Sequence, residues 1–265
     1  MLKLSNVSKR YGGSSGTLAV KDLSFEIGTG EVVTIVGPSG CGKTTVLKLM
    51  AGLLAPTSGQ IEVDGVAMTG PPEQIALVFQ DYASSLYPWM RVGENVAFPL
   101  KRKKLSKAAR TERVSAALSS VGLADFERAY PWQLSGGMQQ RVAIARGLAY
   151  QPQMLLMDEP FGALDAQTRA DLEDLVLRVR DEFDVTVVFV THDIDESVYL
   201  ADRVLVMGPR PTFVDEDLAV DLARPRDQIA TKELPEFARL RGEVYRNIRA
   251  SSHAMAATSA VAGLH

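Results

Sequence analysis

The stretch Gly37-Pro-Ser-Gly-Cys-Gly-Lys-Thr44 constrains this chain more than any other. It follows the β-branched run Val32-Val-Thr-Ile-Val36 and precedes a helical pattern over Thr45–Ala51. That is the strand–loop–helix setting in which G-x-x-x-x-G-K-[ST] holds phosphate. Glycines let backbone N–H groups turn inward around an anion, and the N-terminus of the following helix adds its positive end. Lys43 reaches the β- and γ-phosphates and Thr44 offers its hydroxyl to Mg²⁺, while Gly37, Pro38, Ser39, Gly40, Cys41, Gly42 and Thr45 complete the expected nucleotide cradle.

A loop of this kind needs a sheet behind it. Short apolar runs recur at Ile75–Phe79, Met154–Met157, Thr186–Val190 and Val204–Met207, with helical patterns between them. Near-continuous apolar strands belong to a mainly parallel sheet covered on both faces, so the expected fold is an α/β phosphate-loop core. The runs Leu2–Val7, Leu23–Ile27 and Ile61–Val63, separated by Gly and Asp turns, predict a small N-terminal antiparallel sheet. Val114, Ala117, Leu118 and Val121 fall at helical spacing before Gly122 and predict a helical subdomain over about 90–150. After about Asp215 the strands are expected to stop. Phe237, Leu240, Val244 and Ile248 then make one helical stripe, followed by an Ala/Ser-rich end expected to fray.

The same strand ends supply chemistry. Met154-Leu-Leu-Met-Asp-Glu159 puts two carboxylates where α/β sheets bind ligands. Asp158 is expected to hold Mg²⁺ through a water, and Glu159 to orient and deprotonate an attacking water. Gln80, closing one strand, reaches for the same metal and water, and His192 follows Thr186–Val190 in the same way.

The balance of 29 basic against 32 acidic residues, net −3, gives no global field for nucleic acid or an anionic membrane. The one cysteine, Cys41, excludes an intrachain disulfide and suits a reducing compartment. Inside the phosphate loop it is either an oxidisable block on nucleotide or a small residue that fits. Lys101-Arg-Lys-Lys104 reads as a phosphate patch or as a solvated helix face. The start MLKLSNVSKRYGG lacks a secretory apolar run, and no window approaches the roughly eighteen apolar residues that span a bilayer, so a membrane role is expected to be peripheral.

A phosphate loop, Gln80 after a strand, LSGGMQQ, MLLMDEP, Ala163-Leu-Asp165 and Thr191-His-Asp193, in that order over about residues 1–215, resemble the ATP-binding cassette ATPases. The resemblance implies an ATPase domain over 1–215 with a short extension over 216–265. It also implies two cassettes binding two ATP head to tail, each ATP between the phosphate loop of one copy and the LSGG of the other. Ser135, Gly136 and Gly137 precede a helical pattern from Met138 towards Ala149, so their amides and the positive helix end form an anion site for the other copy's phosphate. Gln139 belongs to the same signature.

Carried over by position, Tyr11 resembles the aromatic that stacks on adenine, with Gly12-Gly-Ser-Ser-Gly16 after it as a mobile turn. Asp165 resembles the residue crossing the dimer interface, and His192 the one touching the γ-phosphate. The loop Asp81–Met90, with Tyr82, Leu86, Tyr87 and Trp89, is where such a cassette meets a permease. SLYPW, MDEPFGALDAQTR, THDIDESVYLADRVLVMGPRP and the short end from Arg224-Pro-Arg look like the nitrate, sulfonate and taurine importer group. The implied protein is a transport-coupled ATPase on the cytoplasmic face of the membrane, a homodimer bound to a permease and served by a solute-binding protein, with no nucleic acid. The alternative is a soluble ATP-switched cassette acting on ribosomes or DNA without a permease.

Overall fold

The structure, a computed structural model, describes the backbone of residues 1–13, 16–162 and 164–262, and their side chains except those of 82, 83 and 252–262. Part of the turn expected after Tyr11, and Ala163, lie outside the described residues, as does the side chain of Tyr82. The chain divides into two compact units, Met1–Pro72 with Val188–His265, and Glu73–Val187.

In the first unit β1 (Leu2–Tyr11) and β2 (Thr17–Ile27) lead to β3 (Val32–Val36), the phosphate loop and α1 (Lys43–Met50); β4 (Ser58–Val63) and β5 (Val66–Ala67) follow. All five residues of β3 are buried, as a strand covered on both faces requires. β1 lies between β2 and β4 in an antiparallel sheet of order β2-β1-β4-β5. The expected antiparallel sheet is present, with strands longer than their apolar runs and the two-residue β5 added.

The second unit holds β6 (Ile75–Val78), the short α2 (Tyr82–Ser85), α3 (Val92–Ala97), α4 (Lys107–Ser120), α5 (Gly136–Ala149), β7 (Met154–Asp158) and α6 (Ala166–Phe183). β6 and β7 pair in parallel, Ile75 opposite Met154 and Val78 opposite Met157. Ser106 starts α4 by accepting from Ala109 N–H at 3.1 Å, and Val114, Ala117 and Leu118 form its buried stripe. Helices fill most of the stretch between β6 and β7, where a helical subdomain is expected.

β8 (Thr186–Val190) carries the chain back into the first unit, which ends with α7 (Ile194–Leu200), β9 (Arg203–Met207), β10 (Val214–Ala219) and α8 (Pro235–Ala262). β3 and β9 are parallel, while β10 runs antiparallel to β9. The strands therefore do not stop at Asp215. β10 has one buried residue, Leu218, and bidentate contacts from Arg203 to Asp217 at 2.7 and 3.0 Å hold it to β9. The final helix is docked by buried Phe237, Leu240 and Val244. It continues through the Ala/Ser-rich stretch expected to fray, to Ala262. No helix among the described residues is long and apolar enough to cross a membrane.

Candidate functional site

Each unit carries part of the expected set. In the first, β3 ends in a loop whose Gly40 and Gly42 have φ of +73° and +126°, a backbone region open to glycine. A Cβ on Gly40 would meet nothing within 4 Å, so the loop is open at that residue. Gly37 and Pro38 are buried, Ser39 and Gly40 exposed. Lys43 is 7% exposed and its Nζ donates to the carbonyls of Gly37 at 2.9 Å and Pro38 at 3.3 Å. A buried ammonium with three N–H groups thus spends two on the loop and keeps one. Thr44 is exposed at the head of α1. Cys41 is fully buried, and its Sγ would lie 3.2 Å from a Cβ on Gly37. Its place is that of a small packing residue, and burial keeps oxidants from it.

Tyr11, the last residue of β1, is 41% exposed, and its hydroxyl lies 3.4 Å from Thr45 Oγ1 in the first turn of α1. Lys9 Nζ stands 5.6 Å from the ring centroid. The structure therefore brings an exposed aromatic face beside the phosphate loop. His192 is exposed after β8, where Thr191 N–H donates to Ile35 O at 3.1 Å and Asp193 caps α7 by accepting from Glu196 N–H at 3.2 Å.

In the second unit Asp158 closes β7 and is 7% exposed. Glu159 follows with φ +41°, uncommon for a residue with a Cβ, and a conformation that costs of order 1 kcal/mol. Gln80, just past β6, donates through Nε2 to Glu159 Oε2 at 3.4 Å. Two strand ends of this unit thus present an amide and a carboxylate to each other.

The second cradle differs from its expectation in one detail. Gly136 and Gly137 do not precede the helix but form its first turn, because Ser135 caps it by accepting from Met138 N–H at 3.3 Å. Ser135 and Gly136 are exposed, so the amide end of α5 opens outward. Gly137 is buried against Thr168, whose Cγ2 would lie 2.5 Å from an added Cβ. Thr168 in turn donates its hydroxyl to Asp165 Oδ2 at 2.7 Å and its N–H to Oδ1 at 3.0 Å. These bonds hold the Asp165 carboxyl below the usual carboxylate range, the backbone one contributing most. Gln139 donates to the carbonyls of Pro131 at 3.0 Å and Leu134 at 3.2 Å, bracing the turn before the cap.

The aromatic loop divides. Leu86 is 3% exposed and belongs to the core, whereas Trp89 is 72% exposed. Tyr87 lies between them in exposure, with Trp89 at 5.5 Å and Phe98 at 4.6 Å between ring centroids. Asn95, fully buried, accepts from Tyr87 N–H at 2.8 Å and donates to the carbonyls of Tyr87, Met90 and Arg91, fixing the loop's shape. Arg91 continues into a cleft of about 270 Å³ lined also by Glu94, Arg110, Glu127 and Arg128. The sequence alone does not announce this cleft, because its residues come from the start of α3, from α4 and from the turn at Glu127 and Arg128. Lys101 stands 4.9 Å from the Phe98 ring centroid, and Lys103 lies 3.8 Å from the Tyr150 ring centroid and donates to Tyr150 O, so the basic run is partly taken up by cation–π packing.

Comparison with known proteins bears on this arrangement. A family model described as ABC transporter matches residues 20–162. The chain is 43% identical over 251 residues to the nitrate import ATP-binding protein NrtD of Synechocystis sp. (strain ATCC 27184 / PCC 6803 / Kazusa), covering 92% of this chain and 93% of that one. It is 42% identical over 248 residues to the taurine import ATP-binding protein TauB of Roseobacter denitrificans (strain ATCC 33942 / OCh 114), covering 92% of each. A solved dimeric structure of an ATP-binding cassette in a post-hydrolysis state, bound to ADP and Pi, matches with a TM-score of 0.72 and 35% identity, over 83% of this chain and 99% of that one.

Proposed function

Because this chain belongs to the ABC transporter family, we propose that it is the ATP-hydrolysing subunit of an importer, working as a head-to-tail pair of copies on a separate membrane permease. The observation that carries this reading is the Lys43 ammonium, buried at the head of α1 and tied to the Gly37 and Pro38 carbonyls with one donor to spare. A cation held at that depth is matched by an anion such as the ATP phosphates. Residues 1–215 are the cassette and 216–265 its extension.

Tyr11 offers its exposed face to adenine, and the loop amides and Lys43 hold the phosphates. The donor set fits Mg²⁺: the Thr44 hydroxyl, the Gln80 amide oxygen and the Asp158 carboxylate are hard oxygen donors. No group of three or more His, Cys, Asp or Glu forms a protein-only cage among the described residues. Remaining coordination then falls to phosphate and water, the usual pattern for this ion. When bound, Mg²⁺ neutralises charge on the β- and γ-phosphates.

Glu159, steadied by Gln80, takes a proton from the water that attacks the γ-phosphorus; the bond to the β-phosphate oxygen breaks, giving ADP and phosphate. His192 contacts the γ-phosphate, and Ser135, Gly136 and Gly137 of the second copy, with its Gln139 bracing them, close over it. Asp165 crosses between copies. Most of the rate enhancement is positioning and charge neutralisation.

Trp89 and Tyr87 meet the permease from the cytoplasmic side, with the Arg91 cleft beside them and Leu86 as packing behind. Similarity to nitrate and taurine import proteins over 92% of the chain supports a small anion, nitrate, sulfonate or taurine, delivered by a solute-binding protein. The test is phosphate release from Mg²⁺–ATP by the purified chain, alone and with its permease in vesicles. Stimulation by the permease is expected. No release under either condition, or stimulation by ribosomes or DNA instead, contradicts the proposal.

A further inference from the structure

The His192 loop and the helix α7 that follows it are held on one side by β3: Thr191 N–H in the loop donates to Ile35 O at 3.1 Å, and Thr34 Oγ1 donates to Ser197 O of α7 at 3.1 Å. From α8 a contact reaches the first turn of α7. Arg241 Nε donates to Asp195 Oδ1 at 2.7 Å, three residues after His192, and an open cleft of about 680 Å³ lies between His192, Asp193, Tyr245 and the small residues Ala238 and Gly242. Gly242 and Ala238 are four apart on one helix face, so the cleft exists because that face has almost no side chain.

We propose that α8 is a brace for the His192 loop and that Arg241, through Asp195, is a positioning residue for ATP hydrolysis. This rests on the reading of His192 as a γ-phosphate contact. Two observations favour a positioning role over a stabilising one. The pair is exposed, with 59% and 46% of the two side chains open to solvent, a setting in which ion pairs add little to stability. α8 is itself fixed, by buried Phe237, Leu240 and Val244 and by Ser251 Oγ, which donates to Asp215 at 2.5 Å at the start of β10. The anchor is firm while the tie is weak, so the tie sets where the loop rests rather than whether the protein folds. By contrast, Arg239, two residues earlier, pairs within α8, with Glu236 and Glu243 at 2.7 Å each.

The experiment measures kcat, KM and thermal midpoint for Arg241→Ala, Arg241→Lys, Asp195→Ala, Arg239→Ala and His192→Ala. Arg241→Ala and Asp195→Ala are expected to lower kcat about threefold, within what an exposed ion pair can supply, with KM for ATP and the midpoint unchanged, since small misplacements at a reacting centre act on rate. Arg241→Lys is expected to recover much of the loss, and Arg239→Ala to match wild type. Wild-type kcat in both Arg241→Ala and Asp195→Ala, with His192→Ala inactive, overturns the brace alone. An active His192→Ala overturns the reading of the site and the brace with it.

Discussion

Arg146 in the last turn of α5 donates to the carbonyl of Ser85 at 2.6 Å and to its hydroxyl at 2.8 Å. Ser85 ends α2, four residues before exposed Trp89, so the helix that Ser135 caps is clamped at its far end to the aromatic loop. A helix of 14 residues is about 21 Å long and stiff. Arg146→Ala leaves the Ser85 carbonyl without its charged donor and should cost about 1–3 kcal/mol. Urea unfolding measures this. The variant should also hydrolyse ATP with less stimulation by the permease, and unchanged stability and stimulation would rule the clamp out.

Glu159→Gln keeps size and hydrogen bonding but removes the proton acceptor. It should bind ATP as wild type does and lose about a hundredfold or more of steady-state hydrolysis, the range for a positioned general base. Size-exclusion chromatography with Mg²⁺–ATP should show a trapped dimer. A variant that retains most of its turnover removes Glu159 from the base role.

Lys43→Ala removes the buried ammonium and leaves the Gly37 and Pro38 carbonyls without it. ATP affinity, measured by calorimetry, should fall by about tenfold or more, equivalent to one charge-assisted contact. Unaltered affinity contradicts the phosphate-loop assignment.

Gly137→Ala places a Cβ 2.5 Å from Thr168 Cγ2 and should destabilise the protein by about 1–3 kcal/mol through overpacking. Thr168→Ser removes that methyl while keeping the hydroxyl that bonds Asp165. The double variant should regain most of the loss in a denaturant titration. If it unfolds as early as Gly137→Ala alone, the contact is not the cause.

The phosphate loop, β3 and α1 were legible because one motif fixes strand, turn and helix together and its residues are sequence neighbours. β10 was not, because its Val-Asp-Glu-Asp-Leu-Ala sequence has no apolar alternation; a guanidinium on the neighbouring strand holds it instead. α5 starts two residues before its helical pattern does, since glycines read as a turn although a serine cap lets them begin a helix. Arg146 and Ser85 lie 61 residues apart, and no local pattern announces such a pair. The buried side of the aromatic loop, Leu86, was likewise invisible until the fold placed it.

On the proposed function, the outward amide end of α5 is half of a site completed by another copy. Ser135→Arg puts a long cation over that exposed end while leaving the phosphate loop intact. Steady-state ATP hydrolysis by this variant, at a protein concentration where the wild type is active, is the most direct measurement. Hydrolysis abolished with ATP binding retained is the expected result; hydrolysis at the wild-type rate would contradict the half-site account.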